Sequence, residues 1–328
     1  MAIRRYNPGS KPPATMALVV INVAIALVDL FISGYLKRLM WARGIDIQYG
    51  EWWRIITSGF AHGDLMHVGF NAYGIYLLGT IIERLHGWKP MLIIYFASMF
   101  GGTALAMTFM DPATPLLGAS GAAYGLFGAV LGFFYAKTGS FKALLEIPFA
   151  RMLLIWLAFG VFMSLQPGVS MLGHLGGFIP GVILGMFFEH RYARQLDIYH
   201  KLAGGMVIVV IVLLTAFSVA PFTRGSWYAA RAMKAYEHDD LDKGDELLSE
   251  AKRHKHSQEG TQLLLSHLEV WRRNQPFNSK EFSKSVLLWP LTHPDGIQEK
   301  QSEGSPYDFL MKRETATSDP LESTEDEP

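Results

Sequence analysis

The hydrophobic positions of this chain gather into long apolar runs that short polar segments separate. The hydrocarbon core of a membrane is ~30 Å thick, and about 20 apolar residues in helical form cross it. Seven runs meet or approach that length and are predicted to be membrane helices: residues 15–36, 65–85, 91–110, 116–136, 152–165, 171–188 and 204–221. The fifth run is short, and we expect residues 144–150 to extend it. The pattern therefore predicts an all-α, multi-pass membrane protein.

Basic residues in the short loops predict how the helices are oriented. The loops after the second, fourth and sixth runs carry Lys or Arg, whereas those around Asp111 and Gln166 carry neither. Because positive charge stays on the cytoplasmic side, we expect a cytoplasmic N-terminus and an outside C-terminal region, in a bacterial cytoplasmic membrane. The long first loop is basic too and departs from the pattern. Its Trp41, Trp52 and Trp53 indicate a position at the membrane interface.

Polar side chains recur at one depth on the three helices that run inward from the outer face. His67 and Asn71 are spaced i,i+4 and share one helix face, and Ser120 and Tyr124 repeat that spacing. His174 lies about one turn into the sixth run. One polar residue near a helix end is usually explained by contact with interfacial water. Five at matched depth favour a functional site, because polar groups inside a membrane are costly.

Glycine stripes mark the helices that carry Ser120 and His174. The stripes are Gly121, Gly125, Gly128 and Gly132 in the fourth run, and Gly177, Gly181 and Gly185 in the sixth. Small residues let the backbones of membrane helices approach closely. We therefore expect Ser120 and His174 to meet as a nucleophile and its base.

No Asp or Glu lies near His174 in the sequence, so a dyad is predicted rather than a triad. Tyr124, one turn below Ser120, is expected to brace the His174 ring. An oxyanion intermediate needs fixed hydrogen-bond donors. The expected donors are the side chains of His67 and Asn71 and the backbone N–H of Ser120.

Several polar residues are expected to support the site or the fold. His62 precedes the second helix and is expected to line the cavity, and Asp64 is expected to cap that helix. Glu83 should accept hydrogen bonds from a neighbouring loop, because polar groups in a membrane need partners. Arg54 should pin the first loop.

These motifs together resemble the rhomboid family of intramembrane serine proteases over residues 53–189. The resemblance rests on Trp53-Arg54, on His62 with His67 and Asn71, on Gly79-x3-Glu83-x3-Gly87, on Gly118-Ala119-Ser120-Gly121, and on His174 with Gly177 and Gly181. It implies a six-helix core whose Ser–His dyad opens to water on the outer face and cleaves membrane proteins in or near their spanning segments. It also implies that Gly118 supports the active site. The seventh run makes this a six-plus-one arrangement.

Composition and motifs weigh against other functions. The formal net charge is zero, which disfavours nucleic acid as a partner, and there is no cysteine. A His-Glu-x-x-His motif and paired intramembrane aspartates are both missing, so no metal or cofactor is expected. The expected partners are transmembrane substrates and the bilayer. The alternative is a catalytically silent rhomboid-like protein that binds clients. A transporter is disfavoured, since no repeat is evident.

The chain divides into regions of different character. We expect a cytoplasmic tail at 1–14, a catalytic core at 15–190 and the seventh helix at 203–222. Residues 226–275 read as amphipathic helices, in which Ala232, Ala235, Tyr236 and a turn at 239–244 weakly resemble one tetratricopeptide hairpin. An ordinary helix pair fits as well. Residues 276–328 are expected to be a mostly disordered acidic tail that is a candidate for binding a protein partner.

Overall fold

The computed structural model of the protein describes residues 12–192, 197–221, 223–254, 259–273 and 278–280. The regular elements of these residues are helices, in the order α1 (Pro13–Phe31), α2 (Tyr35–Met40), α3 (Gly44–Tyr49), α4 (Arg54–Thr57), a 3₁₀ turn (Ser58–Phe60), α5 (Leu65–Gly74), a π turn (Ile75–Gly79), α6 (Thr80–His86), α7 (Trp88–Phe109), α8 (Ser120–Thr138), α9 (Phe141–Glu146), α10 (Pro148–Met163), α11 (Met171–Tyr192), α12 (Ile198–Val219), α13 (Gly225–Glu237), α14 (Leu241–Arg253) and α15 (Glu259–Arg273). Most of the acidic tail lies outside these residues.

Five helices of the described chain are long and apolar enough to cross a membrane. They are Pro13–Phe31, Leu65–His86 (α5, the π turn and α6 in one rod), Trp88–Phe109, Met171–Arg191 and Ile198–Val219. The chain is therefore an all-helical, multi-pass membrane protein. The glycine-rich α8 is not among these five, and α10 is shorter at 16 residues. Both pack in the same bundle.

The predicted extension of the fifth run is wrong in part. Leu144 belongs to the separate short helix α9, and only residues from Pro148 onward join α10. Proline favours the first turn of a helix, where its missing N–H needs no partner, and it drives the preceding residue out of the helical region. Ile147 accordingly has extended backbone angles between the two helices.

Two predicted helix ends also differ from those in the structure. The fourth run begins as a helix at Ser120, because Gly118 has φ of +111° and Leu116 forms a β-bridge with Ala42 of the first loop. The first run leaves its helix after Phe31, since residues 33 and 34 both have positive φ.

Helix α11 lies at the centre of the bundle and packs against both α7 and α8. Its contact with α7 depends on glycines that the sequence analysis did not single out. A Cβ atom on Gly102 would lie 2.5 Å from the carbonyl oxygen of Gly173, and one on Gly176 would lie 2.5 Å from that of Gly101. These distances are far below normal contact, so the close approach of α7 and α11 requires glycine.

Glu83 ties the second membrane helix to the first. Its carboxylate accepts hydrogen bonds from the backbone N–H groups of Ala14 and Thr15, at 3.1 and 2.8 Å, and from the Thr15 hydroxyl at 2.7 Å. The prediction that its partner is a loop is therefore wrong. Helix α1 begins after Pro12, which offers no side-chain cap. Glu83 instead satisfies the free N–H groups of the first turn, where a negative charge also suits the helix dipole.

The first loop folds into a compact unit around Arg54. This buried side chain donates to the backbone carbonyls of Arg38 and Trp41, at 2.9 and 3.1 Å, and pairs with Glu51. The predicted pinning of the loop by Arg54 thus matches its contacts. Trp41 is only 4% exposed and is packed inside the protein, whereas Trp52 and Trp53 are exposed.

The C-terminal helices α13, α14 and α15 share a small apolar core, and Ile45 of α3 belongs to it. The Tyr49 hydroxyl also hydrogen-bonds Glu237. The predicted turn at 239–244 is only partly present. Asp239 has positive φ, but Asp240 caps α14, and Gly244 lies inside that helix. Gly244 is needed there for packing, since a Cβ atom would overlap the ring of Tyr236.

Replacing Glu83 tests its role as an anchor. Glu83→Ala would leave buried donors of α1 without partners, and each such group costs ~1–3 kcal/mol. We expect a clear drop in the midpoint of thermal unfolding in detergent micelles. The matched control is Glu146→Ala, which removes an exposed carboxylate. Equal midpoints for the two variants would contradict the anchor role.

Candidate active site

The N-terminal ends of α5, α8 and α11 meet at one end of the bundle. Ser120 is the first residue of α8, and His174 is the fourth residue of α11. The Ser120 Oγ atom lies 3.0 Å from the Nε2 atom of His174. Both side chains are partly exposed. The structure thus brings the predicted nucleophile and base within hydrogen-bond distance.

The glycine stripes allow this approach. A Cβ atom on Gly177 would overlap the carbonyl oxygen of Gly121, and one on Gly181 would overlap that of Gly125. The two backbones therefore touch over successive turns below Ser120 and His174. The predicted close packing of these two helices is present. Gly125 also faces the side chain of Ser98 on α7, so three helices converge on this point.

Tyr124 lies against the imidazole of His174. The two rings stack with centroids 4.1 Å apart and planes 10° from parallel. Because Tyr124 is one turn below Ser120 on the same helix, the stack fixes the His174 ring opposite the Ser120 hydroxyl. This is the bracing contact that the spacing predicts.

Ser164, at the C-terminal end of α10, is a site residue that the sequence analysis missed. Its Oγ atom lies 2.6 Å from the Nδ1 atom of His174. The side chain is 4% exposed. The sequence carried one signal, a serine followed by Gln166-Pro167-Gly168 in the loop just before α11. Serine at a helix end is too common for that signal to stand out.

His67 and Asn71 flank a space beside Gly118. A Cβ atom on Gly118 would lie 2.6 Å from His67 Nε2 and 3.5 Å from Asn71 Nδ2. Gly118 also has φ of +111°, which strongly favours glycine. The residue therefore leaves open a space next to Ser120 that two side-chain nitrogens face.

Local hydrogen bonds identify the donor atom of His67. The His67 Nδ1 atom accepts from the N–H of Gly63 at 3.4 Å, so a neutral His67 carries its hydrogen on Nε2, toward Gly118. Asp64 caps α5 by accepting from the His67 N–H at 2.8 Å, as predicted. The Asn71 Nδ2 atom is buried without a hydrogen-bond partner among the described residues. Both nitrogens are thus available to an oxygen atom placed beside Gly118.

His62 supports the loop that carries the serine. Its Nε2 atom accepts from the N–H of Ala119 at 3.4 Å, and its Nδ1 atom lies 3.3 Å from the carbonyl of Phe60. Burial, with a smaller effect of nearby His67, lowers the pKa of His62 to about 4. A neutral ring can donate from one nitrogen and accept at the other, as these contacts require. His62 therefore holds the residue before Ser120.

The site is a serine hydroxyl facing an imidazole, beside a space with fixed donors. Within the residues that the structure describes, no group of three or more His, Cys, Asp and Glu side chains has the arrangement to hold a metal ion. Such a pair is suited to general-base activation of a hydroxyl, and the donors are suited to an oxyanion.

Comparisons with known proteins identify the family of this helical membrane protein. The family model of the Rhomboid domain matches residues 49–191. The chain is 30% identical to "Rhomboid protease GluP" of Bacillus subtilis over 211 residues, which are 62% of this chain and 39% of that protein. It is 30% identical to "Putative rhomboid protease YdcA" of the same organism over 154 residues, 46% of this chain and 74% of the relative. "RHOMBOID-like protein 1" of Arabidopsis thaliana is 34% identical over 145 residues, 43% of this chain and 36% of the relative.

The chain belongs to the rhomboid family. Its matched part spans 39% and 36% of the length of two of these relatives.

The glycine contact can be tested by adding one methyl group. Gly181→Ala would push α11 away from α8, and such overpacking costs ~1–3 kcal/mol. The matched control is Gly205→Ala in α12, where nothing lies within 4 Å of an added Cβ. The control should be neutral or stabilising by ~0.5–1 kcal/mol, because alanine is the better helix former. Unfolding free energies in mixed micelles would measure both, and equal effects would show that the contact does not need glycine.

Proposed function

We propose that this protein is an intramembrane serine endopeptidase that hydrolyses peptide bonds in or near the transmembrane segments of other membrane proteins. The observation that carries the proposal is the 3.0 Å contact between Ser120 Oγ and His174 Nε2, on two helices held together by glycines. The names of the relatives, several of which are called rhomboid proteases, support the same activity. No cofactor is needed for this chemistry.

The first half of the proposed reaction forms an acyl-enzyme. His174 Nε2 takes the proton from the Ser120 hydroxyl as Oγ bonds to the carbonyl carbon of the substrate. The carbonyl π electrons move onto oxygen, which becomes an oxyanion beside Gly118. The proposed donors to it are His67 Nε2–H, the Asn71 amide and the Ser120 backbone N–H. The C–N bond then breaks, and His174 returns the proton to the leaving amine.

The second half releases the acyl group. A water molecule enters from the partly exposed side of the pair, and His174 takes one of its protons as the oxygen attacks the ester carbon. A second oxyanion forms at the same donors. Its collapse breaks the Ser120 ester bond, and His174 returns the proton to Oγ. The enzyme is regenerated with no net proton change in the dyad.

The alternative is a catalytically silent relative that binds clients. Such a protein has no need for a base positioned on a hydroxyl, or for a buried amide donor left without a partner beside it. Asn71 Nδ2 is such a donor among the described residues. The contacts of Ser120, His174 and Asn71 therefore favour the enzyme.

We further propose that the membrane part is a six-helix core followed by one additional helix, with α12 as the seventh. The five long apolar helices together with α8 and α10 give this count. The N-terminus is proposed to face the cytoplasm of a bacterial cell. The C-terminal helices are proposed to lie outside, on the side of Ser120. Their contacts with α3 and the bond of Arg224 to the Thr108 carbonyl, at the end of α7, support that side.

Covalent labelling would test the nucleophile. A fluorophosphonate should modify Ser120 in the wild-type protein in detergent, because His174 removes the proton as Oγ displaces fluoride. Neither Ser120→Ala nor His174→Ala should be labelled, and neither should cleave a reconstituted single-span substrate. Ser140→Ala is the matched control, since Ser140 is an exposed serine just beyond the C-terminal end of α8, at the opposite end of that helix from Ser120. Substrate cleavage by Ser120→Ala at the wild-type rate would refute the proposed activity.

Cysteine labelling would test the orientation, since the chain has no cysteine of its own. Ser249→Cys places a thiol on an exposed position of α14, and Lys142→Cys places one on exposed α9, beyond the other end of α8. An impermeant maleimide should label the first on intact cells and the second only after permeabilisation. The reverse pattern would invert the proposed topology.

A further inference from the structure

Ser164 completes a line of three polar groups through the active site. Its Oγ atom lies 2.6 Å from His174 Nδ1, and His174 Nε2 lies 3.0 Å from Ser120 Oγ. The imidazole is thus held between two serine hydroxyls, one on each ring nitrogen. Only the hydroxyl of Ser120 is at the proposed reaction centre.

The hydrogen of the Ser164 hydroxyl has a defined acceptor. The carbonyl oxygen of Gly160, one turn earlier on α10, lies 2.7 Å from Ser164 Oγ and can only accept. The Ser164 hydroxyl therefore donates to Gly160. Its oxygen is left with lone pairs that face His174 Nδ1, and that nitrogen must then carry a hydrogen.

The opposite placement of the hydrogens is less favourable, because it loses the hydrogen bond from Ser164 to Gly160. If Ser164 donated to Nδ1, its oxygen and the Gly160 carbonyl oxygen would stand 2.7 Å apart with no hydrogen between them. The two dipoles would repel in a site with little water to screen them. His174 Nε2 would also carry the hydrogen and present an N–H to Ser120, and so could not act as its base.

Tyr124 also holds the His174 ring in this position, through contacts other than the Ser164 hydrogen bond. Its hydroxyl packs so closely on Gly160 that a Cβ atom there would overlap it. Its ring meanwhile stacks on His174. Tyr124 of α8 therefore holds the face of the imidazole, and Ser164 at the end of α10 holds its Nδ1 edge.

We propose that Ser164 is a positioning residue for His174: by accepting the Nδ1–H hydrogen bond, it selects the tautomer whose Nε2 lone pair faces Ser120. This inference rests on the proposed function, since it assigns a role in that reaction. Ser164 occupies the place that a carboxylate holds in a Ser–His–Asp triad. A neutral hydroxyl fixes the tautomer and the ring plane without adding a buried charge, which would be costly at this depth.

Kinetics with a single-span substrate in detergent would test this role. Ser164→Ala frees the ring to change tautomer and to tilt, and a misplacement of about 1 Å at a reacting pair costs ~10²-fold in rate. We expect kcat to fall ~10- to 100-fold with little change in KM. Ser164→Thr keeps the hydroxyl and should restore most of kcat. Thr138→Ala is the matched control, because Thr138 bonds the i−4 carbonyl at the end of α8 without contacting His174.

Nitrogen-15 NMR of histidine-labelled protein supplies a readout that does not depend on activity. The His174 signals are identified by their loss in His174→Gln. The wild type should show a protonated Nδ1 and an unprotonated Nε2. Ser164→Ala should show a mixture of the two tautomers.

The outcomes separate this inference from the proposed function. A wild-type His174 with its hydrogen on Nε2 would overturn the role of Ser164 whatever the variants do. So would a Ser164→Ala protein with unchanged kcat while Ser120→Ala is inactive, and in that case the protease proposal stands. Cleavage by Ser120→Ala would instead remove the protease proposal, and with it the reaction that Ser164 is proposed to serve.

Discussion

The backbone contact between α8 and α11 is the constraint on which the rest of the site depends. A membrane offers little hydrophobic drive for helices to associate, so close van der Waals packing has to hold them. Glycines at 177 and 181 place the α11 backbone directly on carbonyl groups of α8. That contact sets the distance between Ser120 and His174, because both side chains are too short to reach across a wider gap. Larger residues at 177 and 181 would leave Ser120 and His174 on their own helices but would separate the two side chains.

A second requirement is that polar groups inside the bundle find partners there. Glu83 meets it by capping a neighbouring helix, and Arg54 by binding carbonyls of the first loop. Neither side chain comes near Ser120, yet both fix elements that the site needs. Glu83 lies on the same rod as His67 and Asn71, beyond the π turn, so the anchor on α1 also helps to hold the proposed oxyanion donors in register. The first loop in turn pairs with the segment before Ser120 through Ala42 and Leu116.

The sequence was informative where chemistry depends on spacing within one helix. The i,i+4 pairs that contain Asn71 and Tyr124, the cap at Asp64 and the glycine stripes all follow from local periodicity. Contacts between helices were harder to predict from the sequence, because they depend on which helix faces pack together. The glycines of α7, the true partner of Glu83 and the place of Ser164 all required the packed bundle. Ser164 is the clearest case, since it contacts His174 from another helix across a loop, and a serine at a helix end is too common to stand out in the sequence.

The core formed by the C-terminal helices includes a residue of the first loop. Ile45 is 1% exposed because it is enclosed by the core of α13, α14 and α15, although it belongs to the first loop. Asp46, the next residue, pairs with Arg43 and lies 3.9 Å from Arg54. Ala42, just before this cluster, bridges to Leu116 at the start of the segment that ends in Ser120. An unbroken series of packed and paired residues therefore connects the C-terminal helices to the loop that carries the serine.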